Sequence, residues 1–559
     1  MLFDDVHSEK DLDRLKRSVV RDDRWYARIL KIRDAMQYPR DGVTIWKKLE
    51  PYDGMQRRKM PSNAEMIALY NELIHEGVQK SDPQVEEILK KIKVRSNSGV
   101  AVVSVLTKPY ACPGRCIYCP TEKNMPKSYL SKEPAAARAL ANKFDPYAQV
   151  ENRLRALKMN GHPTDKLEVI VIGGTWSHYH EVYQEEYIAE LFRAANNWGR
   201  RAGSQIVKKS RTLVELQRIN ERAQCRIVGL SVETRPDHIT KDELIRMRYL
   251  GVTKVEVGVQ HLEDDILKFN QRDMTREVIA ESTERMREAG FKVVYHMMPN
   301  LPGSNPSKDI HMFEELFSGE DFHPDMLKIY PCMVLKRSYL YKMWTRGEFQ
   351  AYSEEELIRV MIEAKKHVPP YVRIIRVYRD IPASYIIAGS KTSNLRQVIE
   401  RDQKAKGWKC KCIRCREVRS RTIDPSSYTL HQLEYRTRRG LEIFLSFEND
   451  ADDTIAAFLR LRLPDRDKAG VHLLPGLSNA ALIRELHTYG KMARFGDEGS
   501  QSQHRGFGKQ LMEVAEQRAR AAGYGTMAVI SGVGVRGYYR KLGYRLNQTY
   551  MIKNISSLT

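Results

Sequence analysis

The sequence predicts an α/β protein made of two units in tandem. Six β/α repeats form a parallel sheet, open or curled into a partial barrel, and a smaller α/β unit lies beyond it. Three observations carry this. Short apolar runs alternate with amphipathic stretches from residue 98 onward. A segment dense in charge and cysteine, "KAKGWKCKCIRCREVRSR", interrupts that rhythm. Patterned strands and one long helix return after residue 440.

The six runs are "VAVVSVL" (100–106), "LEVIVIGG" (167–174), "CRIVGLSVE" (225–233), "VTKVEVGVQ" (252–260), "FKVVYHMMP" (291–299) and "MLKIYP" (326–331). Helices separate them, as in "TKDELIRMRYLG", where Thr240 and Glu243 predict a capping box and Gly251 a stop. Beyond the interruption come "LEIFLSF", "TIAAFLRLRL", "ALIRELHTYG", a helix from Gly506, the strand "TMAVISG" and the tail "YYRKLGYRL". The expected boundaries are a basic helical region at 1–95, the barrel at 96–380, a cysteine-rich linker at 381–435 and the second unit at 436–559.

At 559 residues the chain is long enough for three or four domains of ~150 residues. Its net charge of +22 favours a polyanionic partner such as nucleic acid. The basic segments Arg57–Lys59, Lys90–Arg95 and Lys404–Arg421 are candidate phosphate contacts whose binding should weaken with salt. The N-terminus is acidic and lacks an apolar core, and no apolar run reaches the ~18 residues that span a bilayer. A cytoplasmic protein is expected, in which clustered cysteines mean metal or catalysis rather than disulfides.

Cys112, Cys116 and Cys119 stand in "ACPGRCIYCP", directly after the first predicted strand. Thiolates bind soft metals, and three of them on a four-iron cube leave one iron open. A zinc knuckle completed by a distant ligand is the alternative. The C-x₃-C-x₂-C spacing resembles the radical S-adenosylmethionine (SAM) enzymes. That resemblance implies a [4Fe-4S] cluster whose open iron chelates SAM, at the C-terminal ends of the barrel strands. It also implies that Gly173 and Gly174 bring backbone close to the methionine moiety, with Thr175 where the family has an acid. Glu233 would accept from ribose hydroxyls. Gln260 ends strand four, Asn300 follows strand five, and Tyr118 would pack near the adenine.

In the second unit Gln503, Arg505, Gly506 and Gly508 fit Q/R-x-x-G-x-G/A opening a helix, where free N–H groups suit a pyrophosphate. With a strand before it and "GVRGYYRKLGY" after, this part resembles the GNAT acetyltransferases and implies acetyl-coenzyme A. Tyr538 and Tyr539 fall where such enzymes place an acid or a thiolate-protonating phenol. Cys410, Cys412 and Cys415 suit a structural zinc, with Cys332 or His431 as fourth ligand, or else a second iron–sulfur cluster. Cys225, on strand three, reads as core.

A radical SAM barrel followed by a GNAT domain resembles the Elongator catalytic subunit family in its single-chain prokaryotic form. The matching stretches include "SGVAVVSVLTKPYACPGRCIYCP", "VIGGTW", "SVETRPD", "VGVQH", "RELHTYG", "QHRGFG" and "ISGVGVRGYYRKLGYRL". The family implies modification of the wobble uridine of tRNA, in the anticodon loop, with a carboxymethyl-type group at C5. SAM would yield a 5′-deoxyadenosyl radical, the acetyl methyl would lose a hydrogen, its carbon would join uracil C5, and the thioester would hydrolyse. Acetyl-CoA would lie on Glu485, Leu486, His487, Thr488, Gln503, His504, Arg505, Gly506, Phe507, Gly508, Lys509, Tyr538 and Tyr539. Lys166 would reach it from across the domain boundary. Lys166, Tyr539, Glu485 and His487 are the candidate catalytic residues, and the cluster needs an external reductant. Two rivals stand beside this expectation. One is a protein lysine acetyltransferase with a structural iron–sulfur domain, using Glu485 or His487 as base. The other is an RNA-binding scaffold.

Overall fold

A computed structural model describes residues 99–556, apart from 201–204, 393, 420–422, 466–473, 475–476 and 490–505. The basic region at 1–95, with Arg57–Lys59 and Lys90–Arg95, therefore lies outside the described residues, as do Gln503, His504 and Arg505.

The first sheet holds all six expected strands in sequence order: β1 (Ala101–Leu106), β2 (Lys166–Ile172), β3 (Arg226–Thr234), β4 (Lys254–Gln260), β5 (Lys292–Met297) and β6 (Met326–Ile329). A seventh, β7 (Arg373–Arg376), pairs with β6, and every pairing is parallel. The period-two reading passed over β7 because its run "RIIR" is only two apolar residues between charges. Val255, Val257 and Val259 of β4 and Val293, Tyr295 and Met297 of β5 are buried in the main apolar core, which the flanking helices share. The alternate positions are polar: Lys254, Glu256 and Gln260 on β4, His296 on β5 and Lys328 on β6 all line a cavity. The barrel thus has an apolar outside and a charged lumen.

The helix Lys241–Leu250 forms as expected, but only half of the capping box is made. Thr240 accepts from the Glu243 amide at 3.2 Å, whereas the Glu243 carboxylate turns to Ser177 and to Arg246 at 3.4 Å. Gly251, with φ 90°, ends the helix. No described helix is long and apolar enough to cross a membrane.

The second sheet contains β8 (Thr429–Thr437), β9 (Gly440–Asn449), β10 (Thr454–Pro464), β11 (Ala480–Thr488), β12 (Thr526–Val529), β13 (Arg545–Asn547) and β14 (Tyr550–Asn554). Their order is β8-β9-β10-β11-β12-β14-β13. β8 crosses the boundary expected at 436. Its exposed positions alternate with half-buried ones, so its sequence carries little apolar signal. β11 and β12 pair in parallel only from Ala480–Thr526 to Ile483–Val529, after which β11 continues alone on that side. A bulge opposite Arg460–Leu461 leaves Arg484 as the extra residue of β11, which bends the strand where it leaves its neighbour. The resulting notch is where Glu485, Leu486, His487 and Thr488 stand.

This unit docks on the N-terminal ends of the barrel strands. A Cβ on Gly532 would overlap the Val228 carbonyl, and one on Gly534 would meet Arg226 Cβ at 2.6 Å. The glycines of "SGVGVRG" therefore serve close approach between the units. Buried charges complete the joint. Arg484 holds the Asp325 carboxylate at 2.6 and 2.8 Å and Glu442 at 3.0 Å, and Arg462 pairs with Glu442 and Glu288. Burial pushes the Asp325 carboxyl up, but Arg484 and Arg460 outweigh it and hold the group well below the usual carboxylate range.

Candidate active site

At the C-terminal ends of the strands, the loop after β1 carries Cys112, Cys116 and Cys119, all of which line one cavity of about 1530 Å³. The Cys119 amide donates to the Cys116 carbonyl at 3.2 Å, closing a tight turn between the two cysteines. Cys112 Sγ lies 3.8 Å from Thr175 Oγ1, and Arg272 reaches from beyond β4 to Cys116 Sγ at 3.6 Å and Tyr118 Oη at 3.4 Å. Burial pushes the Cys119 thiol up to about 11, with its neighbour Cys116 adding to the shift. Among the described residues the Cys410 trio packs its ligand atoms within 4.8 Å, as one ion requires, while the Cys112 trio does not form so close a group. Wider spacing suits a cube whose thiolates sit on separate irons, and an all-sulfur donor set suits iron–sulfur chemistry.

Gly174 lines the same cavity. With φ at +130° and +85°, Gly173 and Gly174 take backbone that side chains resist. A Cβ on Gly173 would collide with Thr107, while one on Gly174 would meet nothing within 4 Å, so open space lies before that residue. Gln260, with φ 74°, has a buried Oε1 without a hydrogen-bond partner among the described residues. Glu233 accepts from Tyr129 Oη at 2.6 Å and from Lys328 Nζ at 3.4 Å. An orphan acceptor, an open glycine cradle and a carboxylate at consecutive strand ends fit a polar small molecule beside the cysteines. Asn300 is different. Its amide bonds Asp309 at 2.6 Å and its side chain the Cys332 carbonyl at 3.3 Å, so it serves the fold.

The cavity continues through the lumen to the other unit, where Lys166, Lys292, Glu485, Leu486, His487 and Thr488 line it with Gly506, Gly508, Lys509, Tyr538 and Tyr539. Gly506 starts the helix Phe507–Ala521, and a Cβ on Gly508 would approach Tyr538 Oη to 3.1 Å. Phe507 itself stacks on Phe447 with centroids 4.4 Å apart, so its ring belongs to the core. Tyr539 is buried, which pushes its phenol up and keeps it protonated. Burial pushes the Glu485 carboxyl up, but Lys292 and Arg460 outweigh it, the latter at 2.9 Å. Burial pushes His487 down to about 4. Both groups are weak bases at neutral pH, which counts against an acetyltransferase that deprotonates a lysine with them.

The lumen residues were missed in the sequence. Glu256, fully buried, contacts Lys328, accepts from Ser231 at 3.1 Å and lies 3.0 Å from His296 Nε2. Their signal was legible: charges at alternate positions of "TKVEVGVQ" cannot face the apolar core. Arg272 gave no comparable signal.

Cys410, Cys412 and Cys415 converge in the linker, with Cys412 and Cys415 sulfurs 3.6 Å apart. Neither expected fourth ligand joins them. Cys332 lies in the apolar cluster with Cys116, and His431 bonds Thr429 Oγ1 at 3.0 Å and faces Asp450 at 3.4 Å. Within Lys404–Arg421, Arg416 is buried against Glu448 and Asp453 and so faces no phosphate. Cys225 is fully buried, as expected.

The radical SAM superfamily model matches residues 106–316, and the radical SAM C-terminal domain model matches 324–405. Among curated relatives, the tRNA uridine(34) acetyltransferase of Dehalococcoides mccartyi is 45% identical over 475 residues, covering 84% of this chain and 100% of the relative. That of Methanocaldococcus infernus is 41% identical over 511 residues, covering 89% and 92%. Human Elongator complex protein 3 is 37% identical over 492 residues, covering 84% and 88%. The solved structure of archaeal M. infernus Elp3, lacking residues 1–46, is similar with a TM-score of 0.69 at 39% identity, covering 82% of this chain and 99% of that one.

Proposed function

The chain belongs to the family of tRNA uridine(34) acetyltransferases and Elongator complex protein 3, a radical SAM family, and we propose on that premise that it builds a carboxymethyl-type group on C5 of the tRNA wobble uridine. The observation that carries this is the single cavity lined by both the cysteine loop and the notch of β11. A polar lumen joining the two proposed cofactor cradles gives chemistry a route between them.

Cys112, Cys116 and Cys119 hold the [4Fe-4S] cluster. Gly174, Glu233, Gln260 and Tyr118 surround SAM. When bound, the cluster and SAM together supply a 5′-deoxyadenosyl radical, chemistry that no side chain provides. Arg272 places its charge against the Cys116 sulfur. Acetyl-CoA is the second substrate, held by Lys166, Glu485–Thr488 and Gly506–Lys509, with its pyrophosphate at the helix N-terminus. Hydrolysis adds one water to the thioester carbonyl and breaks the C–S bond; Tyr539, kept protonated by burial, hands a proton to the departing thiolate and regains one from that water. The charged lumen orients the acetyl group, and the apolar shell around it excludes bulk water. Cys410, Cys412 and Cys415 hold a zinc that ties the linker together. A tRNA substrate agrees with the cytoplasmic location and the basic charge read from the sequence.

The test is nucleoside mass spectrometry of tRNA incubated anaerobically with reconstituted protein, reductant, SAM and isotopically labelled acetyl-CoA. The expected product is a wobble uridine carrying both labelled carbons. Acetylated lysine without modified uridine would support the acetyltransferase rival instead.

A further inference from the structure

Three consecutive strand ends of the barrel each bring one aromatic ring to the rim beside the cysteine loop. Tyr110 follows β1, His178 follows β2 and His238 follows β3. The Tyr110 and His178 centroids are 5.8 Å apart, and those of His178 and His238 are 6.0 Å apart. Tyr110 is 45% exposed, yet its inner face stacks on Tyr179 at 4.8 Å with the planes 27° apart. Tyr179 stacks in turn on Tyr183 at 5.1 Å and donates its hydroxyl to the Lys108 carbonyl at 2.7 Å. Tyr110 thus presents one flat, braced face to solvent, two residues from Cys112.

Core packing accounts for Tyr179, which is buried, but not for Tyr110, and neither Tyr110, His178 nor His238 lines the lumen. We propose that Tyr110, flanked by His178 and His238, is a stacking platform for an unpaired nucleobase next to the target uridine. This rests on the tRNA reading given above. A uridine drawn toward the lumen leaves its loop stack, and its neighbour loses a partner there. A braced aromatic ring replaces that partner whatever the base, because every base has a π-face. Lys108 and Arg115, exposed in the same loop, supply positive charge for the adjoining phosphates.

The test uses the full-length reconstituted protein and an anticodon stem-loop RNA with 2-aminopurine beside the target uridine. Wild type quenches the fluorescence on binding. Tyr110→Ala abolishes most of the quench and raises both Kd and the KM for tRNA about tenfold, while Tyr110→Phe retains both. A His178→Ala variant, which spares the tyrosine ladder, shows a smaller change in the same direction. Quenching and affinity equal to wild type in Tyr110→Ala overturns the platform alone. A wild type that neither binds nor modifies the stem-loop overturns the tRNA function as well.

Discussion

Arg484 and Asp325 meet as a doubly hydrogen-bonded pair at 2.6 and 2.8 Å, with both side chains fully buried between the two units. Arg484 is the bulged residue of β11, and Asp325 immediately precedes β6. The bend that opens the notch proposed for acetyl-CoA is thus fastened by the contact that seats the second unit on the barrel.

Breaking that pair strands a buried charge. Asp325→Asn or Arg484→Met should cost about 3–5 kcal/mol in chemical denaturation, far more than a surface pair. Replacing both partners by apolar residues should recover part of the loss. A loss below about 1 kcal/mol for either single variant would contradict the role given to the pair.

Cys112→Ala, Cys116→Ala or Cys119→Ala should each leave the protein folded but unable to hold the iron–sulfur cluster, read by iron analysis and by absent 5′-deoxyadenosine. Arg272→Leu should be subtler. A cation beside a ligand sulfur favours the more negative, reduced state, so its removal should lower the cluster's reduction potential while iron content persists. An unchanged potential would refute it.

Lys166→Ala should raise the KM for acetyl-CoA about tenfold while SAM binding is unaffected, because Lys166 lines the far end of the lumen from the cysteine loop. Tyr539→Phe should instead lower kcat, since the ring is kept and only the proton is lost. Steady-state kinetics at varied acetyl-CoA separates the two.

Acid should weaken the fold in a defined window. Burial pushes both His323 and His487 down to about 4, so each takes its proton more readily in the unfolded chain. Their folded-state pKa values are depressed. Stability should therefore be level above pH ~6.5, fall between ~6.5 and ~4, and lose on the order of 1–3 kcal/mol per histidine. The carboxylates held low by arginine, such as Asp325, would add losses only at lower pH. Denaturant midpoints from pH 7.5 to 4 should trace this, and His323→Phe should flatten part of it.

If the trio holds zinc as proposed, Cys412→Ser should release about one equivalent of it per chain, by elemental analysis, and lower the melting temperature. A protein that retains its metal would show that other groups hold it.

The cysteine spacings, the six barrel strands, the Thr240 cap and the Gly251 stop were legible because each is encoded over a few residues. The reciprocal half of the capping box was not, since the Glu243 carboxylate turns to Ser177 and Arg246 instead. The weak strands β7 and β8 were not, since one is very short and the other largely exposed, and neither produces an apolar period. A fourth ligand for the metal expected at the linker trio could not be chosen from sequence, and the structure sets both Cys332 and His431 away from the trio. The lumen is the sharper case. Glu256, His296 and Lys328 occupy separate strands, and only parallel pairing in register brings their side chains together. The sequence by itself determined what most segments become and that both cysteine trios suit a metal or cluster. Only the tertiary structure decided that the second unit sits beneath the barrel, with Arg484 on Asp325 and one cavity through both. Such contacts join residues far apart in the chain, so no local pattern records them.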